Sequence, residues 1–114
     1  MTIAEIKQVQ DKTVVVTDEE GVLTFVNAKF TEQFGWTQEE AVGQSMVMII
    51  PENLRDAHNM GFSRFISTET PTILEKALTL KAVNKDNVEF DAEHFIVAEK
   101  IDGHWFFAAT IHPV

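Results

Sequence analysis

The chain has no cysteine and no tyrosine, only three prolines, and half as many basic residues as acidic ones. The missing cysteine excludes a disulfide framework, thiolate catalysis, iron–sulfur clusters and any flavin photosensor that works through a thiol adduct. The shortage of basic residues leaves a net charge of −9, with acids spread along the whole length. Such a surface repels phosphate backbones, so nucleic acid is not an expected partner. No apolar run approaches the ~20 residues of a membrane span. The start, MTIAEIKQVQ, lacks the charged end and apolar core of a signal peptide. The default expectation is a cytoplasmic protein, or a cytoplasmic piece of a longer one, without a membrane partner. There is no Gly-rich phosphate loop. The acidic DEEG and QEEA stretches have no base, nucleophile or metal motif beside them, so they read as solvated turns and helix starts. An enzyme is not expected.

What is present suits one globular domain: 114 residues, 45% of them hydrophobic, with nine phenylalanines. Thr2–Gln10 can form a short helix, with Thr2 and Glu5 at capping-box spacing and Ile3, Ile6 and Val9 on one stripe. A helix this short needs a partner surface. That surface is either its own domain, or a dimer contact or neighbouring domain. Thr13–Thr17 is β-branched and reads as a strand. The acidic turn ending at Gly21 returns the chain into Val22–Val26, which makes a hairpin. Asn27 can cap a helix over Ala28–Phe34, where Phe30 and Phe34 form a buried i, i+4 pair and Gly35 a left-handed stop. Thr37 caps Gln38–Val42, with Glu40 three residues on. The apolar Gln44–Ile50 carries Met46 and Met48, flexible side chains suited to an irregular pocket.

Pro51–Ile66 is predicted to be the longest helix, because proline fits a first turn. Leu54, Ala57, His58, Gly61, Phe62 and Phe65 recur at helical spacing and make one inward face. Thr68–Thr72 reads as a polar loop. Ile73–Val83 reads as a strand, with Leu74, Leu78, Leu80 and Ala82 on one side. An Asn/Asp turn at 84–87 leads into Val88–Val97, whose Val88, Phe90, Ala92, His94 and Ile96 alternate with acids. Asp102-Gly103 turns the chain into His104–His112, with Trp105, Phe107, Ala109 and Ile111 on one face. Both faces of that strand are apolar near its middle, which suits a central place in the sheet. Grouped strands and helices argue an α+β fold, an antiparallel sheet covered on one face.

His58 is the one titratable group on the inward helix face. A neutral imidazole there is a good axial ligand for haem iron; the plainer alternative is a histidine bonded to a carbonyl or water. His94 has the same two readings, lining a pocket or bonding a neighbouring strand, and an inward imidazole costs stability unless its polar atoms are satisfied. Two histidines without cysteine or a near acid make a weak zinc site. His104 and His112 alternate with Trp105 and Ile111 and should lie on the other face or at an edge. Trp105 and Phe107 either line a pocket or fill core.

Residues 11–112 resemble a PAS domain. The signs are VVVTDEEGVLTFVNAKFTEQFGW, then TQEEAVGQ, IPENLRDAH, KDNVEF and DGHWFFAATI, in that order. The resemblance implies a PAS-like five-stranded antiparallel sheet with helices packed on one face, residues 1–10 being a flanking helix and 11–114 the domain. It implies sensing or relay and not catalysis, a homodimer formed through the N-terminal helix and sheet, and an output domain such as a histidine kinase in a longer chain. RDAHNMGFSRFISTETPTIL resembles the helix and following strand of haem-binding oxygen-sensor PAS domains from rhizobial kinases. On that resemblance His58 falls where a histidine ligates the iron of haem b, and Arg64 also matches. Leu78 stands where those kinases carry an arginine that contacts oxygen. Ile96 keeps an aliphatic over the iron, and His94 replaces another. The expected contact residues are therefore His58, Phe62 and Arg64 on the helix, and Leu78, Leu80, His94, Ile96 and Trp105 on the strands. Two alternatives stand beside haem: a pocket for a small apolar or carboxylate ligand, and a filled core that serves only dimerisation or relay.

Overall fold

The computed structural model describes residues 1–68 and 76–114 of the chain. Strand β1 (Thr13–Thr17) pairs antiparallel with β2 (Leu23–Val26) across a turn built on Asp18. The Asp18 carboxylate accepts from the N–H groups of Glu20 at 2.9 Å and Val22 at 3.0 Å, and Gly21 takes the positive φ of 78° that the turn requires. The register slips between Val16 and Thr17, a bulge that sets Thr17 opposite Leu23.

Helix α1 (Ile3–Ile6) is closed by the Thr2–Glu5 capping box. Helix α2 (Ala28–Phe34) starts at Asn27, which holds more than its own helix. Its Oδ1 accepts from Phe30 N–H at 3.1 Å and Val14 N–H at 3.0 Å, while Nδ2 donates to the carbonyls of Val9 and Lys12. One buried amide thus joins the segment after α1, strand β1 and α2. Helix α3 (Gln38–Ala41) has a second capping box, Thr37 with Glu40. Met46–Ile49 forms a 3-10 turn. The long helix departs from its predicted start: Pro51 leads a 3-10 turn over Glu52–Leu54, and α4 runs from Arg55 to Thr68.

The remaining strands are β3 (Ala77–Val83), β4 (Glu89–Ile101) and β5 (His104–Pro113). The strand expected from Ile73 is described only from Ala77, and most of the expected 68–72 loop lies outside the described residues. β4 runs four residues past its predicted end, because its pairing with β5 continues to the Ile101–His104 turn. All pairings are antiparallel, in the order β2-β1-β5-β4-β3, so β5 is the central strand. The fold is α+β, a five-stranded sheet with helices.

Alternation divides the sheet into two apolar faces. Val15, Ala92, Ala109 and Ile111 face inward with Phe30, Phe34 and Ala41. Val14, Val16, Val97 and Ala108 face outward, where Ile3 and Ile6 of α1 cover them. The Glu99 carboxylate accepts from Ile3 N–H at 3.0 Å and holds α1 down. The helical cover is therefore not confined to one face: α1 sits on the outer side and α2 to α4 on the inner.

Candidate functional site

The inner face is packed unevenly. At one end Phe30 and Phe34 stack at 5.1 Å and leave no space. At the other, α4 stands over the sheet and leaves a half-open cavity of about 480 Å³ beneath it. Its roof is the face of α4 formed by Leu54, Ala57, His58, Gly61, Phe62 and Phe65. Its floor includes Val15 and Thr17 of β1, Leu80 of β3, His94 and Ile96 of β4, and Phe107, Ala109 and Ile111 of β5. Met46, Ile49 and Ile50 also border it. The volume lies within the range of ligand sites, roughly 300–1,000 Å³, and such sites are mostly apolar with few polar groups.

The local sequence explains the space. Ala57 and Gly61 give the helix face little bulk over the floor, and a Cβ built on Gly61 meets nothing within 4 Å. The aromatic side chains gather at one side. Phe62 packs on Phe107 at 4.8 Å, and Phe65 meets Phe107 and Trp105 edge-on at 5.2 and 5.0 Å. The inward face predicted for this helix exists, but it overlooks a hollow instead of a filled core.

His58 is half-buried, and its ring lies 6.1 Å from Phe62 at 26°. Burial pushes its pKa below 6.5, and an Asn59 side-chain contact pushes weakly the other way. That contact does not satisfy Nδ1, which is buried without a hydrogen-bond partner. His94 is arranged differently. Its Nδ1 lies 3.0 Å from the Ala92 carbonyl, which can only accept, so Nδ1 carries the proton. Burial lowers this pKa too, so the ring is neutral near pH 7 and Nε2 holds a lone pair. A third polar group borders the cavity. Thr17 is 2% exposed and its Oγ1 is likewise buried without a partner. Each such orphan costs about 1–3 kcal/mol of unreturned desolvation. Lys81 also borders the cavity, but it is half-exposed and paired with Asp91 at 3.1 Å.

Of the residues expected from sequence, the cavity brings together His58, Phe62, Leu80, His94 and Ile96. Three others lie outside its wall. Arg64 is on the exposed side of α4, because six residues past His58 is well off the same helical face. Leu78 is half-buried opposite His94 in the β3–β4 register, on the strand at the sheet edge, without reaching the cavity. Trp105 backs Phe65 instead of lining the space. Thr17 was not legible as a site residue, since a threonine ending a β-branched run reads as ordinary strand. His104 is exposed and bonded to Glu19 at 2.9 Å, and His112 is exposed. No cluster of three metal-ligating side chains exists among the described residues. No helix among them is long and apolar enough to cross a membrane.

The donor set fits haem b at the ligand and at the walls: a neutral imidazole on α4, and aliphatic Leu80, Ile96 and Ile111 among the sheet residues. The poorest match is Nδ1 of His58, since a metal-bound histidine normally has its second nitrogen hydrogen-bonded.

The family described as PAS fold matches residues 5–93. Sensor protein FixL of Bradyrhizobium diazoefficiens is 27% identical over 100 residues, which is 88% of this chain but 20% of that protein. The chain thus spans about a fifth of that relative's length. The crystal structure of a PAS domain from Desulfitobacterium hafniense superposes with a TM-score of 0.73 at 14% identity, covering 96% of this chain and 99% of that one. The LOV domain of a blue-light activated histidine kinase from Erythrobacter litoralis superposes with a TM-score of 0.68 at 12% identity, covering 93% and 98%. At such identities the two structures show the fold alone. Without cysteine, this chain has no residue to form a thiol adduct with a flavin.

Proposed function

The chain belongs to the PAS family, and we propose that it is a sensory module that holds a small ligand or cofactor between α4 and the sheet, with His58 as its central polar contact. The observation that carries this reading is an apolar cavity of about 480 Å³ bordered by His58, held neutral by burial, and by His94. A packed relay module has no reason to keep such a cavity, because it costs stability. Haem b is the first occupant to test. His58 would hold its iron, Phe62 and the aliphatic sheet residues would exclude water, and His94 would present Nε2 on the sheet side. Bound haem would supply a gas-binding or redox-active iron.

A sensor requires an occupant with different affinity for two states of the protein. The route out of this cavity is short. Phe107, Ala109 and Ile111 of β5 border the cavity, while the intervening Ala108 lies under α1. A displacement of β5 therefore reaches α1, the segment through which a homodimer and an output domain such as a histidine kinase would be addressed.

Purified protein reconstituted with haemin is expected to give a sharp Soret band that His58→Ala abolishes. An unchanged band in the variant removes the iron version. The organic-ligand version is favoured by the largely apolar lining of the cavity. It is checked by native mass spectrometry of freshly isolated protein, where a bound mass other than haem is the supporting result.

A further inference from the structure

We infer that His94 selects the cavity's occupant, an apolar molecule carrying a neutral hydroxyl or N–H group that donates a hydrogen bond to its Nε2. This deepens the organic-ligand reading and rests on the cavity being a binding site.

His94 lies on the cavity floor, on the same face of β4 as Ile96. An imidazole there brings two nitrogens, and each costs desolvation unless something bonds it. One is accounted for: Nδ1 lies 3.0 Å from the Ala92 carbonyl of the same strand. A carbonyl only accepts, so this bond keeps the proton on Nδ1 and makes Nε2 of the neutral ring an acceptor. Nε2 lies across the ring from that anchor. It has no protein partner among the described residues, and unlike Nδ1 of His58 it is not sealed by surrounding atoms. The anchor also orients the ring, so the acceptor is in place before anything binds. An aliphatic side chain would cover the floor without the polar cost, so an imidazole here is explained by something that bonds its second nitrogen.

The chemistry of the occupant follows from that lone pair. The partner must bring a proton, and an ionised carboxylate has none to offer. An ammonium has protons, but no Asp or Glu borders the cavity among the described residues. A buried charge without a counter-charge is strongly disfavoured. A neutral donor remains. The shape follows from where the rings lie. His94 is opposite Ile111, four residues along β5 from Phe107. That is about 13 Å of strand. Phe62 and Phe65 pack on Phe107 at 4.8 and 5.2 Å. The floor thus has its acceptor toward one end and its aromatic wall toward the other, which suits an elongated ring system with the donor at its tip.

The test uses 4-phenylphenol, 4-methoxybiphenyl and 4-methylbiphenyl, which share a body and offer a donor, only an acceptor, or neither. Titrations are followed by amide NMR at about pH 8, where an ordinary imidazole is neutral and a phenol keeps its proton. In the wild type phenylphenol should bind about 3- to 10-fold more tightly than either of the others, the range of one net hydrogen bond. His94→Leu should erase that advantage and leave the affinity for methylbiphenyl unchanged. Nitrogen NMR of the wild-type ring should show Nε2 unprotonated, with a resonance that phenylphenol shifts and methylbiphenyl does not. If Nε2 carries the proton, or if phenylphenol binds no more tightly than methylbiphenyl, the role of His94 is overturned while the cavity remains a site. Methoxybiphenyl binding as tightly as phenylphenol overturns the donor class. Binding of none of the three overturns the inference together with the organic-ligand reading beneath it.

Discussion

Two phenylalanine pairs face the same sheet and behave in opposite ways. Phe30 and Phe34 of α2 are fully buried and stacked at 5.1 Å, with Phe90 against Phe34 at 5.4 Å. Phe62 and Phe65 of α4 also turn inward, yet beside them lies an open cavity, and Phe62 stays half-buried. The rings do not make the difference; their neighbours do. Around α2 the space is closed by Val26, Leu23, Ile49 and Ala41. On α4 the neighbours along the same face are Ala57, His58 and Gly61, which together supply too little volume to reach the floor. One helix is anchored by packing and the other is held over a space, which makes the second the natural mover in a sensor.

The largest test of that contrast is to remove volume where packing is closed. Phe34→Ala should cost about 3–5 kcal/mol in urea unfolding. A loss under about 1 kcal/mol would mean that this end is no better packed than the other. A paired test adds volume instead. Ala41→Leu should destabilise by about 1–3 kcal/mol through overpacking, since Ala41 is fully buried. Gly61→Leu should stabilise by up to about 1 kcal/mol, because a poor helix former is replaced and nothing stands within 4 Å of the new Cβ. It should also abolish binding of any cavity ligand. Equal destabilisation by both substitutions would show that the hollow is filled in solution.

The smallest expected effect is on pH dependence. His58 and His94 both have folded pKa values below 6.5 because burial disfavours their charged forms. The unfolded chain therefore binds more protons than the folded one below about pH 6.5, and stability should fall as pH drops through that region toward the depressed values. Above pH 6.5 neither histidine contributes. Unfolding curves at a series of pH values should show this slope, and His58→Gln should flatten it. The packed end contains no histidine and should give no comparable term.

Much of the architecture was readable in advance because its causes are local. Thr2, Asn27 and Thr37 cap the helices they were expected to cap, and Gly35 takes the left-handed stop. The alternation from Phe90 to Ile96 assigns both faces of β4. The site was legible only in part. His58 and Phe62 share a helical face and His94 shares a strand face with Ile96, so periodicity finds them. Arg64 was drawn in by resemblance against its helical phase, Leu78 by the same resemblance, and Trp105 by strand phase that takes no account of where the hollow ends. Thr17 left no signal, since a threonine ending a β-branched strand says nothing of the hollow above it.

Residue order alone determined the strands, the caps, the central place of β5 and the inward direction of His58, because these depend on side-chain period and on groups a few residues apart. Only the tertiary structure decided that one end of the inner face is solid and the other hollow. That outcome depends on the summed volumes of side chains brought together from β1, β3, β4, β5 and α4, and no single segment carries such a sum.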